Sequence, residues 1–97
     1  MSSCDTCHKN DAIGFAAMPG VPMSFAYCRE CLNAGAHPYN MVVANTALIG
    51  GMASAADWWI ALVDATLKHL GKSRTQFDED VEKALSDLQR HCCGRAE

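Results

Sequence analysis

The sequence predicts a small α+β fold: an N-terminal four-cysteine finger with a short β-hairpin, followed by about three α-helices. Three observations predict it. Cysteines stand in two pairs of identical spacing, Cys4 with Cys7 and Cys28 with Cys31. Between the pairs, "AIGFAAM" and "MSFAY" flank "PGVP" at 19–22, so that strand-favouring Phe15, Phe25 and Tyr27 surround a turn signal. Beyond residue 40 the apolar residues recur at steps of three and four, the repeat of an amphipathic helix.

The 97 residues make one domain, with room for a modest core that a structural staple would help. Its two parts are a finger subdomain over 1–39 and a helical segment over 40–97 packed with it. An apolar content of 49% excludes a disordered tail. A formal charge of -3 and a pI near 5.7 argue against a chain whose main task is to grip a phosphate backbone.

The N-terminus "MSSCDTCHKNDA" shows no basic stretch followed by an apolar run, so no secretory signal and a cytoplasmic location are expected. In a reducing compartment, paired cysteines serve as metal ligands or catalytic thiols more often than as disulfides. Residues 38–56 carry no charge, yet they hold Asn40, Asn45, Thr46, Ser54 and a Gly50-Gly51 pair, and no cation flanks their C-terminal end at Asp57. That composition fits a buried helix and not a membrane span.

The hairpin strands fall at 12–18 and 23–27. A helix of one or two turns starts at Arg29 and is stopped by Gly35 and by Pro38, which disfavours helical geometry at His37. Asn40 is expected to cap a second helix through "MVVANTALIGGMA", weakened at the glycine pair, where each Gly costs roughly 1 kcal/mol against Ala. Ser54 is the expected cap of the third helix, with Asp57 in its first turn. "AADWWIALVDATLKHLG" ends at Gly71, with Lys68 and His69 in its last turn. One face carries Trp58, Leu62, Ala65 and His69, and an adjoining one carries Trp59, Val63 and Leu70. The last helix begins near Ser73 or Thr75 and lines up Phe77, Val81, Ala84, Leu85, Leu88 and Cys92, with acids early and Arg90 late.

Cys4, Cys7, Cys28 and Cys31 read C-x2-C-x20-C-x2-C, a zinc-site spacing. Two thiolates two residues apart in a tight turn reach one tetrahedral cation, and a hairpin brings two such turns together. Four thiolates close the shell, so one structural zinc per chain is expected, with no position left for substrate. A thioredoxin-type pair wants a single C-x-x-C beside a βαβ pattern, and disulfides want an oxidising compartment. His8 is expected beside the site or in solvent.

"CDTC", the hairpin and "YCRECL" resemble the treble-clef and zinc-ribbon group of small Cys4 domains over residues 4–35. In a treble clef the second pair opens a short helix. The whole, a Cys4 finger followed by helices in under 100 residues, also resembles small uncharacterised bacteriophage and bacterial proteins. Among treble-clef relatives, nucleases carry catalytic acids and histidines on the hairpin; here 12–27 contain no His, Asp or Glu. His37 and Asn40 lie past the finger without a partner.

"GKS" at 71–73 lacks the upstream Gly of a phosphate loop, that position being Thr66, and no strand precedes it. Trp58 and Trp59 sit near Asp57 and Asp64, which suits a core or interface better than base stacking. His91, Cys92 and Cys93 form no comfortable single metal site. The apolar run over 41–56, with small Ala44, Gly51 and Ala55, suggests close helix approach between copies. The expectation is a non-enzymatic, zinc-stabilised interaction or adaptor protein that binds a protein partner or itself. The alternative is a nucleic-acid-associated regulator touching backbone through Lys9 and Arg29, which the acidity disfavours; a small enzyme has no supporting constellation.

Overall fold

The structure is a computed structural model that describes residues 3–18, 21 and 23–93, with only the helical backbone over 91–93. Most of the expected 19–22 turn and the side chains of His91, Cys92 and Cys93 therefore lie outside the described residues. The fold is the expected α+β arrangement. Strands β1 (Gly14–Ala17) and β2 (Ser24–Tyr27) pair antiparallel, with Gly14 opposite Tyr27 and Ala17 opposite Ser24. Four α-helices follow: α1 (Arg29–Ala34), α2 (Tyr39–Leu48), α3 (Asp57–Leu70) and α4 (Arg74–Cys93), with a short 3-10 turn over Met52–Ser54.

Helix ends follow local chemistry. Both α1 and α3 stop at a glycine in the left-handed region, Gly35 at φ 70° and Gly71 at φ 69°. The chain then folds back: the Ala36 N–H reaches the Cys31 carbonyl at 3.0 Å and the Lys72 N–H reaches that of Leu67 at 3.0 Å. These bonds satisfy carbonyls that the helix itself leaves open. At α4, the Ser73 hydroxyl accepts the Gln76 N–H at 3.1 Å. Replacing Ser73 with alanine should cost about 1 kcal/mol in urea unfolding; unchanged stability would show that the cap contributes nothing.

Three expected boundaries are corrected. Helix α2 starts at Tyr39 with Pro38 as its cap, because Met41 and Val42 donate to the Pro38 carbonyl, and Asn40 is already inside the first turn. The glycine pair does not merely weaken α2. Gly50 and Gly51 adopt φ values of 99° and 105°, a region closed to most side chains, and the helix ends at Leu48. Helix α3 is capped by Ala56 and not Ser54, which belongs to the 3-10 turn.

The main core joins the hairpin end to the helices: Met18 and Val21 pack with Val42, Trp59, Val63, Leu67, Phe77 and Val81. Helix α2 lies chiefly against α4, and α1 against α3. The buried face of α3 is Trp59, Leu62, Val63, Thr66 and Leu67. Trp58 points outward at 55% exposed and His69 is exposed, so of the face read from Trp58 to His69 only Leu62 is buried, with Ala65 half-buried. Three threonines are buried; the Thr6 hydroxyl has no partner among the described residues, whereas those of Thr46 and Thr66 are satisfied. Thr46 Oγ1 donates to the Val42 carbonyl and accepts Trp59 Nε1–H at 2.8 Å; Thr66 Oγ1 donates to the Leu62 carbonyl and accepts the His37 N–H. No described helix is long and apolar enough to cross a membrane.

Candidate metal centre

The finger is assembled by backbone bonds that its sequence permits. In the loop from Cys4, the Cys4 N–H donates to the Asn10 carbonyl at 2.9 Å and the His8 N–H returns to the Cys4 carbonyl at 3.0 Å. His8 adopts φ 61° to close this turn. Asp5 then ties the loop to β2: its N–H donates to the Ala26 carbonyl, and its carboxylate accepts the Ala26 N–H at 2.8 Å. On the other side, Cys28 caps α1 and Cys31 lies in the first turn, with Glu30 suiting the helix dipole. The hairpin register thus sets the two cysteine pairs face to face.

All four expected ligands converge. The sulfurs of Cys4, Cys7, Cys28 and Cys31 lie within 4.8 Å of one another, an arrangement that can hold one metal ion. None is paired in a disulfide. Cys4 and Cys31 are 0% exposed, Cys28 is buried and Cys7 is half-buried. With Tyr27 they form a small second core that Phe25 connects to the main one.

The electrostatics of the cluster are compatible with a bound cation. Burial opposes ionisation of Cys4, but the backbones of Cys7, Cys28 and Thr6 bring its pKa down to about 6. The Cys28 thiol is lowered by the Cys31 backbone against the opposing effect of burial, with help from the Asn10 amide. Cys31 moves far upward, pushed first by its own burial and then by the surrounding thiols. A buried group of like charges cannot ionise together without a counter-ion, and a metal supplies one. The Tyr27 hydroxyl is pushed up to about 12 by burial and by the negative charges of Cys4, Asp5 and Cys31.

Donors around the sulfurs were not legible in the cysteine spacing. The Thr6 N–H points at Cys4 Sγ at 3.4 Å, and Asn10 Nδ2 at Cys28 Sγ at 3.7 Å while also reaching Glu30. His69, from the last turn of α3, places Nε2 3.4 Å from Cys31 Sγ. A metal-bound Cys31 thiolate would offer only lone pairs, and His69 would then be the donor to it. The sequence places His69 in the last turn, suited to the helix dipole, and on one face with Trp58, Leu62 and Ala65, neither of which points to Cys31. The 38-residue separation from Cys31 left no pattern that would pair them.

A second link runs from Tyr27, whose hydroxyl lies 2.7 Å from His37 Nδ1, through the His37 N–H to Thr66 on α3. His8 is exposed, as expected. His37 serves this strut, and Asn40 is exposed. No protein-family model, curated protein or solved structure matches this chain.

Proposed function

We propose that the chain is a zinc-stabilised interaction protein, in which the finger anchors helices whose exposed apolar surface binds a protein partner, a second copy of the chain included. In this reading it acts by binding and catalyses nothing. The sulfur cage is the observation that carries it. Tetrahedral zinc with bonds of about 2.3 Å requires sulfurs about 3.8 Å apart; Cys7 and Cys28 sulfurs stand at 3.9 Å. The order of loop, hairpin and helix opened by the second cysteine pair supports a treble-clef assignment.

The binding surface differs from the small-residue stripe suggested by the sequence. Gly51 is buried beside Leu85 and Ala55 packs against the core, leaving only Ala44 of the three exposed. Among the described residues the exposed large apolar side chains are Ile13, Phe15, Met23, Leu32, Leu48, Ile49 and Trp58, and of these Leu48, 65% exposed, Ile49 and Trp58 surround one hollow of about 320 Å³. Contiguous exposed apolar surface of this kind favours protein contact. Light scattering at micromolar concentration should give a mass above one chain that rising salt does not reduce, in contrast to phosphate binding. Trp58→Ser should return it to one chain. A single-chain mass for the unaltered protein at every concentration would remove self-association.

A further inference from the structure

The four sulfurs of the candidate centre are not equivalent. Those of Cys4, Cys28 and Cys31 are buried, and each receives a donor, from the Thr6 backbone, Asn10 and His69 respectively. Cys7 is half-buried and its Sγ has no N–H donor among the described residues; the polar neighbour of that sulfur is Cys28 Sγ at 3.9 Å. Cys7 lines a cleft of about 990 Å³ together with His8, Lys9, Tyr39, His69 and Lys72. Lys72 lies over the Tyr39 ring, 4.6 Å from its centroid. A donor to sulfur draws off electron density and lowers nucleophilicity, whereas an exposed thiolate without one keeps it. The cluster therefore has three protected sulfurs and one open to solutes.

We propose that Cys7 is the modification site of this protein for a small hydroperoxide, and that Cys28 resolves the product into a Cys7–Cys28 disulfide that dismantles the metal centre. The proposal rests on the zinc reading of the site. The Cys7 thiolate attacks the terminal peroxide oxygen, forming an S–O bond as the O–O bond breaks; the departing alkoxide, or hydroxide in the case of hydrogen peroxide, takes a proton from solvent and leaves as the alcohol or water. The Cys28 thiolate then attacks the Cys7 sulfenic sulfur, an S–S bond replaces the S–O bond, and hydroxide leaves as water with another proton. Two thiolates have each given one electron and the peroxide has taken two. The sulfurs need only close from 3.9 Å to about 2.05 Å. Cys4 and Cys31 remain as two ligands, too few to close a tetrahedral site.

The test uses the full zinc-loaded chain and hydrogen peroxide, with a chromogenic chelator reporting released metal and non-reducing peptide mapping locating the bond. In parallel, limiting maleimide shows which cysteine of the four is labelled first, fragmentation separating Cys4 from Cys7. The expected result is labelling of Cys7 about tenfold faster than Cys4 or Cys31, and zinc release in step with a Cys7–Cys28 disulfide. If zinc is bound but label falls first on a buried cysteine, or oxidation stays at Cys92 and Cys93 with zinc retained, the proposal is wrong and the zinc reading stands. A chain purified without metal overturns both.

Discussion

Replacing Cys31 with serine should abolish stable folding of the finger and lower the thermal stability of the whole chain. Cys31 is fully buried, belongs to the first turn of α1 and receives His69 from α3, so its sulfur joins the metal centre to two helices. Structural zinc contributes about 10–16 kcal/mol of apparent binding energy in small finger peptides at neutral pH, and that energy is also folding energy. A whole domain retains only about 5–15 kcal/mol of net stability. Loss of one ligand therefore removes an amount comparable with the total. Serine keeps the volume but not the soft thiolate that the site uses. Circular dichroism with heating, with and without added zinc, measures the effect. A melting profile matching that of the unaltered protein would contradict the structural role assigned to the centre.

Phe77→Ala should destabilise the helical core by about 3–5 kcal/mol, the range for deleting a buried phenylalanine. Phe77 is fully buried between α2 and the rest of the core, with its ring edge-on to Tyr39 at 6.2 Å. The Tyr39 hydroxyl in turn bonds Asp80 on the same helix as Phe77. Removing the ring leaves a cavity, and the bond to Asp80 holds Tyr39 in place, so collapse around the site recovers little. Urea unfolding followed by Trp59, which is buried in the same cluster, reads the loss directly. Because Phe77 touches no metal ligand, zinc stoichiometry at low urea should stay as in the unaltered protein. A loss below about 1 kcal/mol would mean that the helices are held by something other than this core.

The comparison of these two variants shows where sequence reasoning succeeds. Cysteine spacing is short-range information, and a tight turn plus a hairpin converts it into one place in space; the convergence of the four cysteines and the hairpin were legible for that reason. Periodicity likewise located α3 and α4, and Gly35 and Gly71 marked the stops of α1 and α3 through a backbone conformation that glycine adopts at little cost. Helix starts were less legible. Asn40 and Ser54 are good caps in isolation, but Pro38 already fixes a geometry suited to a helix start, and Gly50 with Gly51 diverts the chain into a 3-10 turn that consumes Ser54. Adjacent tryptophans point about 100° apart on a helix, and periodicity left open which faces inward. Thr46 decided it by offering an oxygen to Trp59 Nε1. Such long-range polar pairings, like His69 with Cys31 and His37 with Thr66, depend on packing and leave no periodic trace.

The small-residue stripe failed for a related reason. Gly51 and Ala55 are small because the chain turns against α4 and the core there, and not because a second helix must approach from outside. Part of the apolar surface that remains, Leu48, Ile49 and Trp58, gathers at the junction of α2 and α3. It is formed by the turn itself.

Native mass spectrometry of the full chain, purified without added metal, tests the central claim most directly because it weighs bound metal and subunits together. The account predicts one zinc per chain, lost together with folded charge states when a strong chelator is added. A folded chain whose mass carries no metal would contradict it, and the four clustered thiols would then have to be explained by packing or redox chemistry.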